Sequence, residues 1–562
     1  MKKYSTGSLT AAQKAAQDDL YSKCPRYDYL IIGTGMSALS FASLMANSGK
    51  KVCMLEAHDS PGGMAHTFKM GDYHFCAQVH YIWGCAPGGR IYEFVKRIGL
   101  QDDLKFNLLD PDGYDRVVLP DGKAVLIPNG FNRLATNIEA AYPGQGEKVK
   151  RFTSILQKLR KELRIIPDRK IKWWEFLTKS YRVPTLLRYL NKTTQQVFDE
   201  CGLSKEAQAV LIADAGDMMA PPEDLSILAY CGLFSGYNSG AYYPAKHFKY
   251  FVSRLAKFIT SHEGCHIYYE TPVSHIDIQD GKVASVKTAD GKTFTADNYI
   301  CNMDPQKASH IIGRQHFPSG YSKKLDYKYS PSGMMIYLGL KDLDLKALGF
   351  GRFNTWHLDQ WDMNQMWKDQ AKGDFSKPWI FISTPSLNTD DRGTTPPGGQ
   401  IMEVATYMEY AVLKELKEKD YAAYSREKQR IADMLLDIVE KKYVPDLRKH
   451  IVVKAIGTPS THEDFCAAPF GNAYGSYLTP AQVGLKRLKA GTPFSNLWWC
   501  NASSGFAGIH GTISTGMDLY MQLSGDRFFD TSKAPTDDEL IAAIRADKGS
   551  SSPADLINGQ HP

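Results

Sequence analysis

Near the N-terminus the apolar residues fall into short unbroken runs. Positions 29–32 (Tyr-Leu-Ile-Ile) and Val52–Leu55 are apolar without alternation, the pattern of strands buried on both faces of a parallel sheet. Between them, 37–47 carries small and apolar residues at helical spacing and predicts a helix. A third unbroken run, 496–500, lies near the other end of the chain and precedes a second helix-like stretch, 512–522. In the middle, 149–164 and 413–443 have helical spacing, whereas 334–340 and Trp379–Ser383 read as strands. Asp280-Gly281 and Asp290-Gly291 interrupt β-rich runs and predict hairpins. No internal repeat or low-complexity tract interrupts this order, and 394–399 is a local Pro/Gly loop.

The turn after 29–32 reads Gly33, Thr34, Gly35, Met36, Ser37, Ala38, and Glu56 closes the second run. Gly33 permits a tight turn, Gly35 lets the backbone approach a pyrophosphate, and Ala38 lets helix and strand pack closely. The helix that follows presents its N-terminal amides and dipole to phosphate. Glu56 stands eighteen residues past Ala38, at the end of the second strand, where a carboxylate accepts from a ribose. An acid there disfavours a 2′-phosphate, which leaves NAD or the adenosine half of FAD. Soon after come Ala57, Gly62, Gly63 and Met64, a second glycine pair where backbone can approach the middle of an extended FAD. The loop 501–511 leads into a helix N-terminus, a place for amides at a flavin carbonyl. These cofactor segments sit at opposite ends of the chain, so both ends must meet to close one domain.

At these residues the chain resembles the family of phytoene desaturases, carotenoid isomerases and retinol saturases, over roughly 27–527. Supporting segments are 110–121, Val273 with the strands 274–278 and 282–288, 296–305, and Thr458, Pro459, Thr461, Gly471 and Gly475. The stretch 75–84, with His80-Tyr81-Ile82, looks most like the saturase branch. The resemblance implies an α/β fold: a Rossmann-like FAD-binding domain of glutathione-reductase type interleaved with an α+β substrate-binding domain. It further implies cofactor contacts at Gly33, Gly35, Met36, Ser37, Ala38, Glu56, Ala57, Gly62, Gly63, Met64, Val273, Asn501, Gly508 and Ile509. The FAD-binding domain is expected from 27–143, 263–304 and 496–530, and the substrate domain from 144–262 and 305–495. Polar extensions are expected at 1–26, which reads as a helix, and at 531–562, a short appendage with one helical signal around 537–546. The chain departs from the family pattern at Met64, where an Arg is usual, at Cys76 and Gln78, and at Ala245, Lys246 and His247, where a glycine pair usually follows Tyr243-Pro244.

Composition narrows the setting. A chain of 562 residues exceeds one ordinary core, and two interleaved domains are expected. A net charge of +6 is small for this length and argues against a nucleic-acid partner. Ten cysteines without a CxxC pair or zinc spacing fit a reducing cytoplasm and no metal site. Neither a secretory signal nor a transmembrane run is evident. The segment 169–192 alternates basic residues with Trp173, Trp174, Tyr181 and Leu187, and reads either as a peripheral membrane contact or as a lid packed on the core.

Flavin chemistry on a double bond needs a hydride path and a proton source. His80, Tyr81 and His510 are the candidates for the proton. The histidines have structural alternatives: a core residue fixing a loop for His80, a side chain turned away from the ring for His510. Met334, Met335, Tyr337, Trp356, Trp361, Met363 and Met366 line an apolar tunnel on one reading and form plain core on the other. Tyr407, Tyr410 and 465–477 carry aromatic residues that the sequence does not orient, and they stay outside the expected site. The partner expected is a hydrophobic polyene to be saturated, desaturated or isomerised. A flavin amine oxidase, with Cys500 near the place of a flavin-linking cysteine, and a non-enzymatic prenyl-binding escort protein are the alternatives.

Overall fold

In the computed structural model, which describes residues 9–23, 25–165 and 180–548, the two N-terminal apolar runs become neighbouring parallel strands. Tyr27–Ile32 pairs with Val52–Leu55 on one side and Ala296–Cys301 on the other. His266–Tyr268 and Leu497–Trp499 extend the two edges, giving five parallel strands. The absence of alternation has its cause here: Leu30 and Ile31 point to opposite faces, and both are fully buried. The helix Met36–Asn47 is buried from Met36 to Ala46, which accounts for its small and apolar composition all round. Gly508–Ser524 crosses it with Gly516 against Ser40 and the Ser37 carbonyl, leaving no room for a side chain.

The predicted hairpin forms between Val273–Gln279 and Lys282–Thr288, with Asp280 and Gly281 both at positive φ. Thr293–Phe294 completes this small antiparallel layer. A second large sheet has seven strands, in the order Ile451–Gly457, Ser332–Leu340, Gln400–Met408, Trp379–Ser383, Asn354–Leu358, Asp115–Val118, Ala124–Ile127. Its last two strands come from within 27–143, the segment expected in the cofactor domain. Their alternation marks a hairpin but cannot show that Asp115 pairs with Asn354. Ala241–Pro244 pairs with Ile82–Trp83 and with Phe106–Leu108 in a three-stranded sheet.

The helical run expected at 413–443 is two helices, Ala411–Lys419 and Tyr421–Lys442. Asp420 separates them with an extended φ of −146° and caps the second by accepting from the Ala423 amide at 2.9 Å. The N-terminal polar stretch contains the helix Ala11–Ser22, tied to the sheet edge by Gln17 and the backbone of Tyr269. The C-terminal stretch is more than a polar appendage. Its helix Asp537–Lys548 is pinned by Asp537 to Arg160 and by Arg545 to Asp112, and Ile544 is buried. Among the described residues no helix is long and apolar enough to cross a membrane. Residues 169–179 of the segment 169–192, including Trp173 and Trp174, lie outside the described residues.

Candidate functional site

The first strand ends at Gly33, whose φ of +99° a side chain would resist and whose amide donates to Leu55 O at 2.8 Å. Gly62, at φ +116°, donates to Thr34 O at 3.0 Å and brings the second glycine pair onto the first. A Cβ on Gly63 would stand 3.3 Å from the Gly35 Cα, so two backbone turns meet with no side chain between them. The helix Met36–Asn47 starts here without a side-chain cap, which leaves N-terminal amides for an anion. Glu56 lies alongside: its carboxylate accepts from the Thr34 amide and the His58 amide, each at 2.8 Å, and from the Thr34 hydroxyl. Burial raises its pKa, and those hydrogen bonds oppose the rise. This backbone cradle, uncapped helix and carboxylate fit the phosphates and ribose of FAD.

Asn302, just past the strand Ala296–Cys301, ties the cradle together. Its Oδ1 accepts from the Gly35 amide at 2.8 Å, and its Nδ2 donates to Ser37 Oγ and to Cys500 O. The C-terminal loop follows Leu497–Trp499. Asn501 turns its amide onto its own surroundings, accepting from Ser503 and Ser504 and donating to Met303 O, so it shapes the loop. Arg487 donates to the carbonyls of Ala502 and Gly505, and its burial lowers its pKa to about 10. The helix Gly508–Ser524 also begins uncapped, and Ile509 in its first turn is buried. Val273 opens the antiparallel layer two residues after Thr271, whose amide donates to Glu56 O. Ala57 is exposed, and Met64 sits half-buried in the turn Gly63–Ala65.

Against the seven-stranded sheet lies a narrow chamber of about 50 Å³ walled by Met219, Met334, Met335, Trp356, Trp379 and Phe381, with His80, Asp217, His462 and Tyr474 as its titratable groups. His80 Nδ1 meets Glu403 Oε2 at 3.0 Å, and Glu403 is completely buried in the strand Gln400–Met408. Burial raises the Glu403 carboxyl, and the histidine contact opposes it. Asp217 is pushed up to about 6 by burial, with His80 and Tyr81 pulling down. Behind it, Asp115 and Asp214 are raised well above the usual carboxylate range by burial and by the neighbouring carboxyls, and neither oxygen of Asp214 has a hydrogen-bond partner. For all three carboxyls burial favours the neutral, protonated form over the charged one.

The three candidate proton carriers therefore divide. His80 is on the chamber wall. Tyr81 is not: it is buried, its hydroxyl donates to Asp115 at 3.2 Å, and its ring stacks on Tyr237 at 3.9 Å. His510 stacks on Trp83 at 4.5 Å, outside the chamber, and burial with Arg90 and Arg160 nearby keeps it neutral. Of the proposed tunnel residues, Met334, Met335 and Trp356 line the chamber, whereas Met363 and Met366 are core and the Tyr337 hydroxyl is spent on Ala77 O. His247, one of the three residues that follow Tyr243-Pro244, is buried at a φ of +65°.

Next to the chamber opens a cleft of about 690 Å³. Tyr407, Tyr410, Phe470 and Tyr477, aromatic residues that the sequence does not orient, line it. The sulfur-bearing end of Met219 rests on Gly333, and both residues line the chamber. Glu403, Asp217 and Asn302 were not anticipated. An acid inside the run 401–405, and a polar residue at the C-terminal end of a parallel strand, are the signals that mark two of them.

Taken together, the five-stranded parallel sheet, its glycine cradle and its C-terminal loop and helix define an FAD-dependent enzyme. The chain belongs to the family of flavin containing amine oxidoreductases, whose model matches residues 36–518. It is 23% identical to the all-trans-retinol 13,14-reductase of Danio rerio, covering 89% of this chain and 87% of that one. It is 24% identical to prolycopene isomerase 2 of an Oncidium hybrid cultivar, covering 92% and 87%. Among solved structures, putrescine oxidase bound to putrescine superposes with a TM-score of 0.61 at 13% identity, over 89% of this chain and 99% of that one. Cyclohexylamine oxidase from Brevibacterium oxydans gives 0.58 at 15%, over 93% and 100%. These two likenesses show the fold.

Proposed function

We propose that the protein uses FAD to saturate a carbon–carbon double bond of a hydrophobic polyene of the carotenoid or retinoid kind. The observation that carries this reading is the chamber: an apolar wall of Met and aromatic side chains on which His80 stands, backed by a buried acid, Glu403. The retinol reductase supports saturation by its name, and the prolycopene isomerase supports a polyene substrate without supporting its saturation. Bound FAD supplies hydride transfer. The chain's own task is to hold the double bond, exclude water and deliver one proton. His80, with Nδ1 held by Glu403, keeps Nε2 for exchange with a ligand, and Asp217 on the same wall can replace the proton spent.

Amine oxidation is weaker on one specific point. Cys500, the candidate for a covalent flavin link, is buried with its thiol on Ser37 O, and burial pushes its pKa up to about 12. The test is anaerobic incubation of reduced holoprotein with all-trans and cis carotenoids and retinoids, read by chromatography and mass. A gain of two hydrogens is expected. Unchanged mass with shifted retention would replace saturation by isomerisation, and a loss of two by desaturation. A fully flavinated protein that turns over no polyene overturns the reading.

A further inference from the structure

Behind the chamber lies a set of buried acids that holding a double bond does not require. We propose that Tyr81, Asp115 and Asp214 form a proton relay that refills His80 through Asp217 after each turnover. The proposal rests on the saturation reading above and deepens it by naming the route of the proton. Ala213–Met218 is a 3₁₀ helix, in which residues three apart eclipse, so Asp214 and Asp217 share one face. Its seat on the strand Asn354–Leu358 fixes that face: a Cβ on Gly216 would stand 2.6 Å from the Trp356 ring. Asp115 comes from the neighbouring strand, opposite Asn354. The Tyr81 hydroxyl joins the two sides, donating to Asp115 Oδ2 at 3.2 Å and lying close enough to Asp217 to draw its carboxyl down. One hydroxyl between two carboxyls passes a proton by accepting from one and donating to the other.

The polar surface left over around these acids separates them from a merely structural cluster. Asp115 Oδ1, Asp217 Oδ2 and both oxygens of Asp214 are buried without a hydrogen-bond partner. Asn354 is fully buried with neither side-chain polar atom paired, and it lies near enough to pull the Asp115 carboxyl down. A carboxylate ion in this place is stripped of water, so burial favours the neutral acid, which donates as well as accepts. The phenols that face the acids are Tyr114, Tyr230 and Tyr237 from the Ile227–Asn238 helix, and Tyr474 beside the chamber. Burial and these carboxyls raise every one of them, so they stay neutral and leave the exchange to His80 and the acids. For each double bond that takes up a hydride, His80 gives one proton and Asp217 returns one to it. Asp115 and Asp214 then return one to Asp217 through Tyr81 and are themselves recharged from solvent, which closes the balance.

Infrared spectra of the oxidised holoprotein at neutral pH give the first reading and need no substrate. The C=O stretch of protonated carboxyls is expected, shifting on transfer to D2O and weakening in Asp115→Asn and in Asp214→Asn. A wild type without such a band, or variants that leave it unaltered, overturn the relay and leave the polyene reading in place. The wild-type spectrum stands as a test even if the variants do not fold. Tyr81→Phe supplies the second reading, since it keeps the ring that stacks on Tyr237 and removes the hydroxyl alone. With excess reductant and polyene it should complete a first turnover at the wild-type rate and slow the later ones by about tenfold or more. Equal slowing of first and later turnovers makes the hydroxyl structural and overturns the relay, as does a variant that is not slowed. Isomerisation without gain of hydrogen, or absence of turnover with every polyene, removes the saturation reading and the relay with it.

Discussion

Asp217 sits where a charge is expensive. Its carboxyl shares the chamber with Met219, Trp356 and Trp379, and burial pushes it up to about 6 from an ordinary value of 3.8. An acid raised in this way favours folding when protonated. Its contribution is most favourable below pH 3.8 and is lost as pH rises through about 6. Asp217→Asn should therefore stabilise the holoprotein by about 2 kcal/mol at pH 8 and have little effect at pH 4. Denaturant titration at the two pH values checks this, and an equal gain at both counts against it. The same physics explains why a proton store suits this place: an imidazole that hands a proton to a ligand needs a nearby acid to refill it.

Helix against helix, the decisive position is Gly516. Gly508–Ser524 crosses Met36–Asn47 there, and a side chain would run into Ser40 and the Ser37 carbonyl. Gly516→Val should destabilise by about 3 kcal/mol and lower flavin retention, because it prises apart two helices whose N-terminal ends are both uncapped. Gly232, inside the helix Ile227–Asn238, has open space where a Cβ would stand, so Gly232→Ala should stabilise by about 0.5–1 kcal/mol. Thermal unfolding with flavin fluorescence reads both. These two glycines also mark what a sequence discloses. Both crossing helices follow from local spacing, and Gly33, Gly35 and Glu56 follow from a strand, a turn and a second strand close together in the chain. The crossing at Gly516 does not, because it depends on elements far apart in the chain. Glu403 is hidden for a related reason: in Gln400–Met408 it reads as a polar break in an apolar run, and only tertiary packing reveals that it is buried.

Across the whole molecule, distant segments are strapped together by a few part-buried charges. The Arg545 guanidinium reaches Asp112, Pro111 O and Asn129 O, and Asp537 meets Arg160 through two hydrogen bonds at 3.1 and 3.0 Å. Arg545→Ala should cost about 2 kcal/mol and expose the C-terminal helix to limited proteolysis, since it strands part-buried acceptors. Unchanged cleavage at 537–548 would show the strap to be idle. The parallel sheet, for its part, reaches beyond the finished protein. Leu497–Trp499 pairs with Ala296–Cys301, which pairs with Tyr27–Ile32, so the fifth strand leaves the ribosome long after the first. At translation speeds of about 5–20 residues per second, that gap lasts roughly 20 to 90 seconds. Until Ala296–Cys301 arrives the nascent first strand has an open edge, and until Leu497–Trp499 arrives the dinucleotide pocket is incomplete. Flavin loading therefore waits until Leu497–Trp499 has joined the sheet, the last of its five strands to be made.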